Sequence, residues 1–339
     1  MSPLLMQEAL MLARRGRYTA LPNPMVGCVI VKNDTIIGRG FHEKPGSAHA
    51  EILALAEAGS NAKDASVYVT LEPCCHFGRT PPCVDALISA GIKEVFVACL
   101  DPNPLVSGRG AQRLRDAGIS VEIGLCGEAA FELNRMFFHY ITHQTPYVVA
   151  KWAMSLDGKM AVNPGDDRQL SSENSLKDLH ELRQQIPAIL IGSETARADD
   201  PSLTVRFGEI QRQPQRIVLN TEANLPHSLK LFNGSLPGKT WLVCDENLHP
   251  YYPRETTEII PCPTEQGKIH LPSLMKILGE REIAGVLVEG GRTILNDFFK
   301  HHLVYETVTY LTPWIIGDFP HKLRVQELDD LKLQGILRE

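Results

Sequence analysis

Residues 71–83 read LEPCCHFGRTPPC, and residues 49–51 read HAE. Cys74, Cys75, His76 and Cys83 crowd soft and borderline metal ligands into one short stretch, and His49 adds another upstream. Successive residues of an extended chain point to opposite sides, so Cys74 and Cys75 are not expected to share one metal. Cys75 then becomes a small packed residue, and His76 a loop residue facing a bound molecule. Cys83 opens a predicted helix, where the dipole favours a thiolate. One histidine and two cysteines fill three positions of a zinc tetrahedron and leave the fourth open, which is the catalytic rather than the structural pattern.

Glu51 stands two residues after His49. Within a helix that spacing turns a side chain by about 200°, so the pair shares a cavity only at a first turn. The zinc-deaminase signature is His-x-Glu followed by Pro-Cys-x-x-Cys; His49, Glu51 and Pro73-Cys74 match it, while the second cysteine, Cys83, lies further on, with FGRTPP inserted. Zinc lowers the pKa of a bound water from ~15.7 to about 7, on the order of 12 kcal/mol toward hydroxide at neutral pH. Glu51 is placed to move the proton from that water to a ring nitrogen and on to departing ammonia. A closed structural Cys3His knot accounts for the cysteines but leaves Glu51 without a purpose.

The rest of the chain frames this cluster. Its 339 residues suit two domains, and 43% hydrophobic residues suffice for a core in each. The net charge of −6 comes from interspersed signs, without the concentrated basic face that nucleic acid requires. The opening MSPLLMQEALMLARRGRY reads as an amphipathic helix rather than a signal peptide, and no apolar run approaches the ~20 residues of a membrane span. The eight cysteines, 28, 74, 75, 83, 99, 126, 244 and 262, mostly fall in strand-like runs, as expected of reduced thiols in a cytoplasmic protein.

Strand-like runs at 26–31 and 35–38 flank an Asn33-Asp34 turn, and helix-like and strand-like segments then alternate to residue 123. The pattern pauses at 143–146 and restarts with a strand at 147–153. Helix 173–185, strands 188–192, 216–220 and 240–244, helix 272–279, strand 285–289, a helix over 293–301 and a strand over 305–311 follow. The expected boundary is at residue 145, with domains 1–145 and 146–339, both α/β. VLVEGGRT runs a strand into Gly290 and Gly291 before a helix, where backbone N–H groups can approach a phosphate. It is not the G-x-G-x-x-G of a Rossmann site.

TLEPCCHFGRTPPC, HAE, LPNPMVG (21–27) and DPNPLVSGRG (101–110) resemble the N-terminal domain of the bifunctional riboflavin-biosynthesis deaminase/reductase family, RibD. SLDGK (155–159), ILIGSETARADDPSLTVR (189–206) and VLVEGG (286–291) resemble its second domain. The resemblance covers almost the whole chain. It implies a cytidine-deaminase-like domain followed by a dihydrofolate-reductase-like domain. It also implies zinc-dependent deamination of a diamino-ribosylamino-pyrimidinone 5′-phosphate, then reduction of the ribosyl group by NADPH.

Carried over by position, the resemblance makes His49, Cys74 and Cys83 the zinc ligands and Glu51 the proton shuttle. Asn23, His42, His76, Arg79, Asp101 and Asn103 become contacts for the pyrimidine and its phosphate. Met154, Gln169, Thr195, Asp199, Thr221, Gly290 and Gly291 fall at cofactor positions. Asp167, Arg183, Leu203, Arg206 and Glu289 fall at substrate positions of the reductase. The partners implied are a small phosphorylated pyrimidine and a second copy of the chain, with neither nucleic acid nor a membrane.

Three departures lead to an alternative expectation, a working deaminase joined to an impaired reductase. The family commonly reads G-[DE]-S-x-W-I-[ST] where residues 165–171 read GDDRQLS. Asp167 sets a negative charge where phosphate is expected, and two unit charges about 4 Å apart repel by roughly 4 kcal/mol at an effective dielectric near 20. Gln169 replaces an aromatic surface, although Arg168 is available to pair with Asp167. After the ending KLQGILRE the family usually adds another strand, and without it an unpaired last strand is expected to leave a sheet edge exposed.

Overall fold

The computed structural model describes residues 2–77, 81–103, 106–160, 170–317, 323–325 and 328–337. The chain divides into two units, Met1–Gln144 and Thr145–Glu339.

The first unit contains strands β1 (Gly27–Lys32), β2 (Thr35–Phe41), β3 (Ser66–Val69), β4 (Glu94–Val97) and β5 (Ser120–Ile123). Its helices are α1 (Pro3–Ala13), α2 (Ala50–Ala58), α3 (Cys83–Ser89), α4 (Arg109–Asp116), α5 (Gly127–Leu133) and α6 (Arg135–His143). The sheet runs in the order β2-β1-β3-β4-β5. β1 is antiparallel to β2 and β3, and β3, β4 and β5 are parallel. Asn33 and Asp34 hold φ of 48° and 59°, the left-handed pair that a two-residue hairpin turn needs.

Both faces of this sheet are covered, which is why its strands read as unbroken apolar runs. Cys28, Ile30, Val67, Val69, Val95 and Val97 pack with Ala50, Ala54 and Ala58 of α2, Val84 and Leu87 of α3 and Leu114 of α4. Val29, Val31, Tyr68 and Phe96 pack on the opposite side with Met6, Ala9 and Leu10 of α1 and Ala130 of α5. Helix α2 lies directly on β2. A Cβ at Gly40 would stand 2.1 Å from the Ala50 oxygen, and one at Gly38 would stand 2.2 Å from the Ala54 oxygen. Bare backbone at these two positions lets the helix that starts after His49 seat at this depth.

The second unit contains β6 (Tyr147–Ser155), β7 (Ala188–Gly192), β8 (Gln215–Leu219), β9 (Thr240–Asp245), β10 (Thr257–Cys262), β11 (Thr264–Glu265) and β12 (Lys268–Ile269). β13 (Gly285–Val288), β14 (Glu306–Thr312), β15 (Trp314–Ile315), β16 (Leu323–Arg324) and β17 (Leu331–Ile336) follow. Its helices are α7 (Glu173–Gln185), α8 (Ser193–Asp199), α9 (Leu271–Glu280) and α10 (Arg292–Lys300). Eight strands form one sheet in the order β10-β9-β8-β7-β13-β6-β14-β17, parallel except for the last pair. The short pairs β11–β12 and β15–β16 stand apart from it.

Most of the expected elements appear with ends shifted by a residue or two. At the chain end LKLQGI forms β17, antiparallel to β14 from Glu306↔Ile336 to Leu311↔Leu331, and it stands as an exposed edge of the sheet. Asp330, just before it, accepts hydrogen bonds from Ser172 N and Ser175 Oγ at 2.6 Å each, tying the chain end to the start of α7.

Nine of these elements escaped the sequence reading: α5, α6, α8, β10, β11, β12, β15, β16 and β17. β10 carries Pro261, which argues against a strand, but it lies at the other sheet edge, where the missing N–H costs nothing. β3 ends at Val69, and Cys74 stands on the loop beyond it rather than at a strand end.

Candidate functional site

In the first unit, His49 is the N-cap of α2 and retains extended backbone, φ −74° and ψ 161°. The chain turns helical only after it, so His49 and Glu51 escape the mid-helix divergence. Cys83 is the first residue of α3. The ligand atoms of His49, Cys74 and Cys83 lie within 4.8 Å of one another. His49 Nδ1 is 3.2 Å from Cys83 Sγ and 3.5 Å from Cys74 Sγ. A regular tetrahedron with ordinary zinc–nitrogen and zinc–sulfur bonds has N···S edges of about 3.6 Å. The donor set therefore fits zinc in both chemistry and spacing.

The Cys83 backbone N–H donates to Cys74 Sγ at 3.3 Å. Cys74 is drawn toward the thiolate, first by a hydrogen bond from the Cys83 thiol, and Cys83 is pushed up because it keeps that proton. Cys75 packs against the core behind the site and is not one of the three clustered ligands, as its position in the chain suggested. Glu51 is 4% exposed, and burial, followed by the charge of Cys74, pushes its carboxyl up to about 7. A carboxyl near neutrality both accepts and returns a proton at physiological pH.

Polar groups gather beside this cluster. His42 is buried, with its ring edge toward His49 at 5.4 Å between centroids. Asn23 Nδ2 stands 3.0 Å from His42 Nε2, and His42 Nδ1 stands 3.4 Å from the Ala48 oxygen. Those contacts are satisfied by a proton on Nδ1 and an acceptor at Nε2. Asp101 is pushed up to about 6 by burial, with the charges of His76 and Cys74 also acting on it. Asn103 N donates to Asp101 Oδ1 at 2.8 Å. His76 Nδ1 is buried without a hydrogen-bond partner, an acceptor or donor available to a bound molecule. Arg79 lies outside the described residues.

Two buried residues that the sequence reading passed over hold this wall. Asn134 accepts from Met25 N at 2.7 Å and donates to Met25 O at 2.8 Å, pinning the loop that carries Asn23. Glu72 accepts backbone N–H groups from Asp101, Gly108 and Ala111. An acid inside the apolar run before Cys74 was the available signal for Glu72; nothing local marks Asn134.

In the second unit, a cavity of about 900 Å³ opens at the ends of β6 and β13. Thr195, Asp199, Glu289, Gly290 and Gly291 line it. Thr195 Oγ1 accepts from Gly291 N at 3.3 Å. A Cβ at Gly290 would meet Ile294 Cγ2 at 1.6 Å, so the backbone there touches α10 directly. Thr221 lines an adjoining cleft of about 190 Å³ that shares Thr195 and Gly291 with the larger one. Met154 sits on β6 next to the lining residue Ala153 but is not itself in the lining. Asp167, Arg168 and Gln169 lie outside the described residues.

Arg183, Leu203 and Arg206 are placed behind this cavity rather than in its lining. Arg183 grips Glu289 with both prongs, Nε to Oε1 and Nη2 to Oε2 at 2.8 Å each, and donates to the Thr204 oxygen at 3.2 Å. Burial alone would raise the Glu289 carboxyl, but Arg183 and Lys151 together hold it below the ordinary glutamate range. Arg206 reaches the same loop through Thr204 Oγ1 at 3.3 Å, and its N–H donates to His180 Nδ1 at 3.0 Å. Leu203 holds φ of 52°, and its side chain is buried among Ile189, Ile191 and Ala196. Lys151 and Trp152 line the cavity and were missed, although a lysine inside the apolar run YVVAKWA was a visible anomaly.

The cavity's wall is fixed from the chain end. Trp314 Nε1 donates to the Leu170 oxygen at 3.1 Å, and Asp330 holds Ser172, so Leu170 and Ser171 are clamped where they line the space.

Together, the fold and the sites define a zinc-dependent deaminase joined to a reductase. The family description "Cytidine and deoxycytidylate deaminase zinc-binding region" matches residues 2–99, and "RibD C-terminal domain" matches residues 146–337. The riboflavin biosynthesis protein RibD of Aquifex aeolicus (strain VF5) is 45% identical over 92% of this chain and 87% of its own length. That of Escherichia coli (strain K12) is 41% identical over 92% and 88%. The solved structure of Acinetobacter baumannii RibD, form 1, superposes with a TM-score of 0.87 at 36% identity, covering 99% of both chains. The chain belongs to the RibD family. It serves riboflavin biosynthesis with a deaminase and a reductase activity, using zinc and NADPH. The alternative of an impaired reductase is not favoured by these likenesses.

Proposed function

We propose that residues 1–145 hydrolyse the 2-amino group from 2,5-diamino-6-ribosylamino-4(3H)-pyrimidinone 5′-phosphate, and that residues 146–339 reduce the ribosyl side chain of the product to ribityl. His49 Nδ1 and the sulfurs of Cys74 and Cys83 hold zinc, which supplies a Lewis acid that acidifies water near neutral pH. Glu51 carries the proton released there to the ring nitrogen and then to the leaving amine. Asn23 and His42, already oriented by their mutual contact, offer polar atoms to the ring edge, and Asp101, Asn103 and His76 close the other side. Arg79 takes the phosphate.

In the second unit Thr195, Asp199, Gly290 and Gly291, which line the cavity, would hold NADPH, which would supply a hydride. Thr221 extends that lining into the adjoining cleft. Met154 and Gln169 complete the cofactor contacts by position. Glu289, kept ionised by Arg183, presents an acceptor to the polyol, while Lys151 offers a donor from the same wall. Arg206, Leu203 and Asp167 complete the substrate positions.

The chain works on a small molecule in the cytoplasm, without nucleic acid. In support, no described helix is long and apolar enough to cross a membrane. Self-association through β17 is part of the same proposal, since that edge strand exposes Leu331, Leu333 and Ile336.

The observation that carries the deaminase half is the His49–Cys74–Cys83 cluster beside a buried Glu51. Zinc analysis tests it. The wild-type chain should bind one zinc, and C83S should bind none at the same free zinc concentration. Full zinc retention in C83S would remove Cys83 from the ligand set.

A further inference from the structure

We infer that Glu72 is a positioning residue for deamination, locking the segment that bears Asp101 and Asn103 in register with the zinc ligand Cys74. Glu72 is 3% exposed and stands two residues before Cys74. Its Oε2 accepts from Asp101 N at 3.3 Å and from Gly108 N at 2.9 Å, and its Oε1 accepts from Ala111 N at 3.0 Å. Its own N–H donates to the Cys99 oxygen at 3.0 Å, fixing the strand end from which it projects.

The three donors are backbone N–H groups that Glu72 reaches from another part of the chain. Helix α4 starts from Gly108, which holds φ of 81° and has no side chain to cap the first turn. Ala111 N is one of the orphan donors of that turn, and Glu72 satisfies it from another part of the chain, where the helix dipole favours a carboxylate. The fit is close. A Cβ at Gly110 would stand 2.1 Å from the Pro73 oxygen and 3.1 Å from Glu72 Oε1. Asp101 in turn accepts from Asn103 N at 2.8 Å. A continuous line of bonds thus runs from Cys74 through Pro73 and Glu72 to Asp101 and Asn103. A metal ligand and the proposed ring contacts share one anchor, so a ring held by Asp101 and Asn103 keeps its distance from the metal. Glu72 itself acts through these groups and touches no reacting atom.

The inference rests on the reading of Asp101 and Asn103 as substrate contacts, and the test separates the two. E72Q, E72A and D101N are prepared in the full zinc-loaded chain. For each, deamination KM and kcat, zinc content, reduction of the deaminated substrate, and hydrogen exchange at Gly108 and Ala111 are measured. E72Q keeps one acceptor oxygen but turns an amide NH2 toward a backbone donor. Its deamination KM should rise about tenfold with kcat changed less than about threefold. Its zinc content and reductase rate should hold, and the two amides should exchange faster. E72A should show a larger KM and the same retention of zinc. If D101N raises KM and E72Q does not, Glu72 has no positioning role. If E72Q loses zinc or reductase activity along with deamination, its role is general folding and the inference fails. If D101N leaves KM unchanged, the Asp101 contact is wrong, and a KM rise in E72Q then assigns the anchored contact to Asn103.

Discussion

The metal centre of the first unit and the cavity of the second use their residues in opposite ways. His49, Cys74 and Cys83 place three side-chain atoms within 4.8 Å, and each must be a particular chemical type. The cavity of about 900 Å³ is lined by residues from 151 to 293, several of which contribute backbone or mere shape. Its charges are also handled differently. Glu51 is buried with no cationic side chain bonded to it among the described residues and is raised to about 7, whereas Glu289 is buried against Arg183 and held low. One carboxyl is prepared to exchange a proton, the other to remain an anion. Burial does not decide which role a carboxyl takes; its partner does.

That contrast is open to direct attack, beginning with the largest effect. E51Q keeps shape and burial but cannot carry a proton. Deamination should fall by at least about a thousandfold while zinc content and NADPH-dependent reduction stay at wild-type levels, measured separately on the two substrates. A deamination loss of less than tenfold would show that another group moves the proton.

Removing Arg183 should do something quite different. R183M strands Glu289 as a buried anion, which costs about 3 kcal/mol or more of folding stability. Denaturant unfolding of the second unit should show the loss, with the zinc centre unaffected. The sign with pH follows from the depressed Glu289 pKa. In the wild type the pair's contribution is present above about pH 4.3 and disappears as pH falls through the lower folded value. In R183M this contribution should be missing, and the variant should gain on the wild type as the solution is acidified. An equal loss at every pH would mean that packing, not the ion pair, dominates.

The smallest effect concerns the clamp on the cavity wall. Ser172 Oγ accepts from Ser175 N at 3.3 Å and caps α7. S172A should cost about 1 kcal/mol in the second unit and raise KM for NADPH modestly, because Leu170 and Ser171 lose part of their anchorage. Unchanged KM with the expected stability loss would separate the cap from the cavity.

The same contrast explains what could be read from the chain in advance. The metal centre was legible because coordination restricts residue type: HAE and PC…C leave few other uses for Glu51 and Cys83. The α/β layering was legible because strands covered on both faces must be continuously apolar, as GCVIVK in β1 is. Asn134 was not legible and Glu72 showed only as an acid in an apolar run, since each acts through backbone groups distant in sequence, Asn134 on Met25 and Glu72 on Ala111. The cavity residues came from resemblance, because Gly290 and Thr195 serve by close approach and a single hydroxyl, which leave no pattern. Lys151 did leave a trace, a charge inside a buried strand. β17 was missed for a physical reason as well. All six of its residues are exposed, so no buried face imposes an apolar rhythm.

The most direct test is the mass of the product formed from the diaminopyrimidinone phosphate by the zinc-loaded chain, with and without NADPH. Replacing NH2 by OH adds about one mass unit, and hydride reduction adds about two more. The account predicts a gain of about one unit without NADPH and about three with it. A gain that stays at one unit with NADPH present would contradict the reductase assignment. No gain at all with zinc bound would contradict the account at its centre.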